Sequence, residues 1–190
     1  MNTALAATSS VPLSCPSLGT PVFSLERARA GLAAEDLPRF GEDRWDLAGM
    51  DHGESGFGLS VHWGVIDQPL RDGVKRAAWA LINIPAPEAI TLNIRARARS
   101  RLAPATLKNI FKAWKAFARW LAVREVAALN EVTPEMLAQY ADVLRTRDVC
   151  HPAKRTEAFD LTRLWAYGPF LMPGDRLVQP PWGRPGGLGV

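Results

Sequence analysis

One segment limits the possible folds of this chain more than any other: residues 104–123 have the apolar spacing of an amphipathic helix. At 100° per residue, seven apolar side chains fall into one stripe about 120° wide. The stripe consists of Leu107, Ile110, Phe111, Trp114, Phe117, Ala118 and Leu121. A stripe of this width is buried against other elements rather than left in water. The fold must therefore contain a helix of about five turns in its hydrophobic core.

The cations of the same helix lie beside this stripe. They are Lys108, Lys112, Lys115 and Arg119. All four fall within a sector of about 60° that borders the apolar face, and they extend over roughly 16 Å of the helix axis. A duplex carries one phosphate per ~1.7 Å of its axis, so such a row could meet several phosphates. The pattern predicts a surface for a polyanion.

The distribution of charge along the chain favours the same interpretation. Residues 1–70 carry four basic and nine acidic side chains, residues 71–124 carry twelve and two, and residues 125–190 carry seven and eight. The net charge of +4 therefore conceals a strongly positive middle. A concentrated positive field attracts polyanions, of which nucleic acid is the commonest. The alternative is a solvated helix face, although such faces usually interleave both signs of charge.

Four further segments have helical patterns. One follows Asp67 and ends before Pro85, one covers residues 90–102, one opens at Thr133 and one covers residues 153–167. In the second of these, every other residue is an arginine, a pattern that also fits a strand. We prefer a helix there because β-branched residues are lacking after Ile94. Five helices with short loops and no convincing strand predict an all-α fold, a small helical bundle.

The ends of the chain have a different composition. Residues 1–67 are predicted to form an acidic, largely irregular arm with one short helix within residues 23–37. Residues 68–172 form the helical domain. Residues 173–190 contain four prolines and five glycines and are predicted to be a linker or tail. We therefore expect flexible arms on both sides of one helical domain.

The tryptophans are interpreted as core residues. Trp79, Trp114 and Trp165 lie on predicted apolar helix faces. Trp120 lies on another side of its helix, where it could pack against a second helix or stack on a base. We favour packing.

Several classes of function lack their sequence signals. There is no glycine-rich phosphate loop, no His-Glu-x-x-His and no Gly-x-Ser-x-Gly, so no cofactor and no catalysis are expected. Cys150 and His151 are adjacent and so are poorly placed to bind one metal ion, and no metal site is expected. No apolar run approaches the roughly 20 residues of a membrane span. Two distant cysteines fit free thiols, and we expect a cytoplasmic protein.

Three stretches resemble one family. "APATLKNIFKAWKAFARWL" resembles the first helix of the core-binding domain of tyrosine recombinases, the phage-integrase family, in its Ala105-Thr106 start and its later aromatics. "LNEVTPEMLAQYADVL" is similar to the second helix of that domain, which is entered through a Thr-Pro pair. "AKRTEAFDLTRLWAYG" is similar to a later helix, with Lys154, Arg155 and Thr156 at the end that faces DNA in relatives. The resemblance covers about residues 68–182.

The resemblance implies a role in binding double-stranded DNA and no enzymatic activity. In the family this module closes half of a clamp around the duplex, largely through phosphates. A catalytic domain then supplies an arginine, a lysine, a His-x-x-Arg pair and a tyrosine nucleophile, and we find no counterpart of it in this chain. Tyr140 and Tyr167 lie inside helices of the binding module and do not correspond to that nucleophile.

The sequence thus predicts the DNA-binding part of an integrase-like recombinase, related to site-specific DNA recombination and integration. The predicted DNA-binding residues are Arg95, Arg97, Arg99, Arg101, Thr106, Lys108, Lys112, Lys115, Arg119, Lys154 and Arg155. Full-length recombinase is a candidate partner, and no membrane is expected. Two alternatives stay open. One is a helical interaction module that docks an acidic protein surface, such as the acidic first third of the chain itself. The other is an inactive remnant of a truncated integrase.

Overall fold

A computed structural model describes residues 15–51, 59–87 and 102–182. Within these ranges the chain forms a two-stranded antiparallel sheet and four α-helices. The elements are β1 Arg44–Asp46, β2 Ser60–His62, α1 Leu70–Asn83, α2 Pro104–Ala122, α3 Pro134–Thr146 and α4 His151–Ala166. The prediction of a mainly helical protein is confirmed. The predicted basic helix over residues 90–102 lies outside the described residues except for its last position.

The α2 helix is the central element, and its apolar stripe is buried as predicted. Each of the seven stripe residues is at most 1% exposed. Because α2 packs against both α1 and α4, it has a partner on either side of the stripe. Trp114 strengthens the second contact, since its Nε1 donates a hydrogen bond of 2.7 Å to the carbonyl oxygen of Asp160 in α4.

The α3 helix begins where the sequence predicts. Thr133 caps it, because the hydroxyl oxygen accepts a hydrogen bond from the Met136 backbone amide at 3.3 Å. Tyr140 connects α3 to α4 by donating a hydrogen bond of 3.0 Å to the Glu157 carboxylate. The other oxygen of that carboxylate accepts from Arg147 at 2.6 Å. A polar contact therefore joins α3 to α4 in addition to apolar packing.

The sheet lies in the stretch predicted to be irregular, and the prediction of a fold without strands was wrong. Each strand has only three residues, which is too short to show an alternating pattern. Trp45 in β1 faces Val61 in β2, and both side chains are buried. Their burial arises from contact with the helices, a fact that no local pattern encodes.

The predicted short helix within residues 23–37 was also wrong. Two 3-10 segments stand in its place, Leu25–Arg27 and Ala34–Asp36. Gly31 separates them with a φ of 86°, a left-handed conformation that interrupts a right-handed helix. A glycine in the middle of the apolar spacing was the signal against one continuous helix.

The N-terminal third contributes aromatic side chains to the same core as the helices. The rings of Trp45 and Trp63 lie 4.8 Å apart and meet edge to face. Trp63 in turn contacts Phe111 of α2, with ring centroids 5.7 Å apart. An unbroken set of aromatic contacts therefore runs from β1 to the central helix, and such contacts add to the stability gained from burial.

Buried cations join the N-terminal third to α1. Lys75 is 4% exposed, and its ammonium group donates to the Glu42 carbonyl oxygen at 3.0 Å. The same group lies 5.2 Å from the ring centroid of Phe40. Arg27 donates to the carbonyl oxygens of Ile82 and Leu102. These charges are used inside the fold, where hydrogen bonds and ring contacts replace the water they have lost.

Residues 173–182 pack on the helices although three of the ten are prolines. Asp175 forms a two-pronged ion pair with Arg76 of α1, with N–O distances of 2.5 and 2.8 Å. Leu177 is buried, and the indole Nε1 of Trp182 donates to the Ala158 carbonyl oxygen at 3.0 Å. Three separated side chains therefore attach this segment, in which Pro173–Asp175 forms one 3-10 turn.

Gly73→Ala in α1 is expected to destabilise the protein, although the same change in an open helix stabilises it by about 1 kcal/mol. A Cβ atom at residue 73 would lie 2.9 Å from the Asp175 carboxylate, which Arg76 holds in place. We expect a loss of about 1–3 kcal/mol, because the ion pair must shift to make room. Urea unfolding measures this loss.

A double-mutant cycle provides the control. In an Asp175→Ala background the steric conflict is gone, and Gly73→Ala should then increase the free energy of unfolding. A stabilising Gly73→Ala in the wild-type background would contradict the role assigned to this contact.

Candidate nucleic-acid interface

The four cations of α2 form one row along the helix, as the sequence predicts. Their spacing of four, three and four residues brings them to the same side of the helix. We call this set the α2 cation row: Lys108, Lys112, Lys115 and Arg119. The α2 helix contains no acidic residue. Because the apolar stripe beside the row is buried, the helix cannot rotate, and the position of the row relative to the core is fixed.

Three members of the row are exposed, and one is partly enclosed. Lys108, Lys112 and Arg119 are exposed, whereas Lys115 is half-buried. The ammonium group of Lys115 donates to the His62 carbonyl oxygen of β2 at 3.2 Å. Burial lowers the pKa of Lys115 from its ordinary value, and the positive charge of Lys108 lowers it further. The middle of the row is therefore attached to the sheet, and its two ends face solvent.

Four of the predicted DNA-binding residues are arginines that precede α2. Arg95, Arg97, Arg99 and Arg101 all lie outside the described residues, and their contribution to an interface stays a prediction.

Two other predicted residues, Thr106 and Arg155, lie on a different side of α2. They line one groove between the beginning of α2 and α4, with a volume of about 440 Å³. Residues 106, 109 and 110 of α2 face this groove, and their mean direction is roughly 140° around the helix from the cation row. The predicted DNA-binding residues therefore divide into two surfaces, which one flat contact cannot cover together.

The ammonium group of Lys154 is bonded within the protein and belongs to neither surface. Its ammonium group donates a 2.5 Å hydrogen bond to the Arg145 carbonyl oxygen near the end of α3. Its side chain thus interacts with the carboxyl end of a helix, where a positive charge is stabilised by the helix dipole. Arg155, the next residue, is exposed and lines the groove.

The groove between α2 and α4 contains side chains that sequence reasoning missed. Its polar wall includes the ion pair between Asp160 and Arg163, with an N–O distance of 2.6 Å. Its apolar wall includes Phe159 and Trp182. The spacing of three residues between Asp160 and Arg163 on one helix predicts such a pair. Nothing in the sequence predicts that Trp182 returns to α4.

Asp160 is the most strongly shifted acid of the described part of the chain. Its side chain is 3% exposed, and burial raises its pKa from 3.8 to about 6. The Arg163 guanidinium acts in the opposite direction but does not cancel the effect of burial. The carboxylate therefore carries its charge at neutral pH at a cost in stability.

Trp120 is partly buried and packs against the core, in agreement with the prediction of packing rather than stacking on a base. Its ring meets that of Tyr140 edge to face, with centroids 5.2 Å apart. The guanidinium of Arg124 lies 3.7 Å from the Trp120 ring centroid. Arg124, two residues after the end of α2 and five residues after the last cation of the row, is therefore engaged by this ring.

Comparison with known proteins identifies no protein similar to this chain. No protein-family model, no curated protein and no solved structure matches this chain. The likeness to tyrosine recombinases therefore stays a prediction from the sequence segments quoted above. Among the residues that the structure describes, no group of three or more His, Cys, Asp or Glu side chains could hold a metal ion. No helix in those ranges is long and apolar enough to cross a membrane.

Asp160→Asn is expected to remove one pH dependence of stability. Between pH 3.8 and about 6 the folded state holds a proton on Asp160 that the unfolded chain has released. Stability therefore falls as the pH rises through this window, by about 3 kcal/mol in total for a shift of this size. Asparagine has no such proton and still offers an oxygen to Arg163. Chemical unfolding of both proteins between about pH 4 and pH 7 measures the difference.

The test compares the free energy of unfolding of Asp160→Asn with that of the wild type at each pH. The variant should become more stable relative to the wild type as the pH rises. Parallel pH profiles would show that another group causes the dependence.

Proposed function

We propose that this chain binds double-stranded DNA through the α2 cation row, in the manner of the core-binding module of an integrase-like recombinase. The single observation that carries the proposal is the row itself: four cations on one side of a helix whose orientation the core fixes. At 1.5 Å per residue, the row covers roughly 16 Å, a length comparable with several successive phosphates.

The electrostatic balance of α2 supports this function. A solvated helix face usually alternates acids and bases, and α2 has bases alone. None of the ion pairs of the described residues involves Lys112 or Arg119, so the field of these two exposed cations extends into solvent, where a polyanion can release its counterions on binding. Contacts of this kind bind phosphates of any sequence and position the protein on the duplex.

Lys115 is partly buried, so its role in binding should differ from that of the exposed cations of the row. Lys112 and Arg119 are exposed and can reach a phosphate directly. Lys115 is bonded to the carbonyl oxygen of His62, so its contribution is a fixed positive charge close to the surface. A bound phosphate would raise the lowered pKa of Lys115 again, because a negative charge favours the ammonium form.

Removing one exposed cation from the row should weaken binding to all duplex sequences. If four to eight phosphates are engaged, the logarithm of the affinity falls with the logarithm of salt concentration at a slope of roughly −4 to −7. Lys112→Ala and Arg119→Ala should each flatten this slope by about one unit. Fluorescence anisotropy with labelled duplexes of two unrelated sequences, titrated at several salt concentrations, measures both quantities.

Two controls accompany this titration. Lys112→Arg keeps the charge and should keep the slope, whereas Arg29→Ala removes one exposed charge from the N-terminal segment and should leave the slope unchanged. An affinity independent of salt, or an equal loss in Arg29→Ala and Lys112→Ala, would refute binding through the row.

A further inference from the structure

The groove between α2 and α4 has the features of a ligand site in its own right. Its volume of about 440 Å³ lies within the range usual for small-molecule and cofactor sites. The lining combines apolar side chains with a few polar groups, another property of such sites. The apolar members are Ile110, Ala158, Phe159 and Trp182, and the polar members used below are Thr106, Asn109 and Arg155.

The charge of the groove is positive, and it is concentrated on Arg155. Arg163 and Asp160 neutralise each other through their ion pair, and both side chains are largely buried. Arg155 is exposed and takes part in none of the ion pairs formed by the described residues. Its guanidinium can therefore bind an anionic group, with phosphate and carboxylate as the matching chemistries.

The apolar part of the groove is fixed before any ligand arrives. The hydrogen bond from the Trp182 indole to the Ala158 carbonyl oxygen holds one ring. The Arg163 guanidinium lies 4.6 Å from the ring centroid of Phe159 and holds the other. Rigid aromatic walls favour a planar ring as ligand, because stacking then costs little side-chain entropy.

The cation at Arg155 and the aromatic wall at Phe159 lie a short distance apart along α4. Arg155 and Phe159 are one helical turn apart, about 6 Å along the axis. The phosphate and the base of one nucleotide are separated by a similar distance. Thr106 and Asn109 on the facing helix supply a hydroxyl and an amide, which are groups that pair with base edges.

We propose that this groove binds one nucleotide of single-stranded DNA, with the phosphate at Arg155 and the base beside Phe159 and Trp182. Arg155, Thr156 and Asn109 are exposed at its rim, so the groove is open enough for a strand to enter and leave. The inference goes beyond duplex binding by the α2 cation row and does not depend on it, since the two surfaces lie on different sides of α2.

The experiment compares a labelled single-stranded thymidine oligonucleotide with a labelled duplex, using the full chain. Arg155→Ala and Phe159→Leu should each weaken single-strand binding by about five- to tenfold and change duplex affinity less than about twofold. Arg155→Lys keeps the charge and should retain most of the affinity, and Arg29→Ala serves as the control for the loss of one charge. Thermal unfolding confirms that each variant is folded. Arg155 is exposed, so its replacement removes little packing.

A second readout reports on the groove directly. The oligonucleotide should change the tryptophan fluorescence of the wild-type protein, and this change should be smaller in Trp182→Phe. Free thymidine monophosphate is a separate arm: binding as tight as that of the oligonucleotide would identify a mononucleotide site and overturn the single-strand proposal.

The remaining outcomes separate this proposal from the previous one. Loss of single-strand binding in Arg155→Ala, with no duplex binding by any protein, supports the groove and refutes the row. No single-strand binding, binding that Arg155→Ala and Phe159→Leu leave intact, or an equal loss for both DNA forms overturns the groove proposal. Preferential binding of an acidic aromatic peptide also overturns it.

Discussion

The fold is organised around the burial of one apolar stripe on α2. Large aliphatic and aromatic side chains contribute about 1.5–3 kcal/mol each when they leave water, and this helix buries six of them together with Ala118. The elements packed around it, α1 and α4, are held by that contact, and the aromatic side chains of the N-terminal third complete the enclosure through Trp63 and Phe111. Since the stripe fixes the rotation of α2 about its axis, it also decides which side chains of the helix can meet a ligand.

The positive charge of the middle of the chain is divided between structure and surface. Lys75 is buried among aromatic rings, and Arg76 is paired with Asp175. Both belong to the same basic stretch as the cation row, yet neither is available to a polyanion. Removing Lys75 would leave the Glu42 carbonyl oxygen without its donor, and removing Arg76 would leave the buried Asp175 carboxylate unpaired, so the expected loss is of stability rather than of binding. A count of charges in the sequence therefore overstates the field outside the protein, and exposure identifies the cations that remain.

Two surfaces of different character share α2 as a common support. The cation row is a line of point charges beside the sheet, suited to phosphates that repeat along a duplex. The groove is concave and partly apolar, with one exposed guanidinium, and is suited to a single planar ligand with an anionic group. Because both are built on the same rigid helix, their relative position is set by the pitch of the helix and by the packing of α4. The acidic first third, a candidate internal partner of the row, supplies core residues such as Trp45 and Trp63.

Elements whose signals are local could be predicted from the residues alone. Period and capping residues defined α2 and the start of α3 at Thr133, and the same period placed Lys108, Lys112, Lys115 and Arg119 in one row. Three features depend on contacts between distant segments and are visible only in the folded chain: the three-residue strands, the attachment of residues 173–182 through Asp175 and Trp182, and the separation of Arg155 from the row. The physical reason is the range of the interactions. Helical periodicity depends on residues three and four positions apart. Burial of a short strand or of Trp182 depends on side chains that are distant in the sequence.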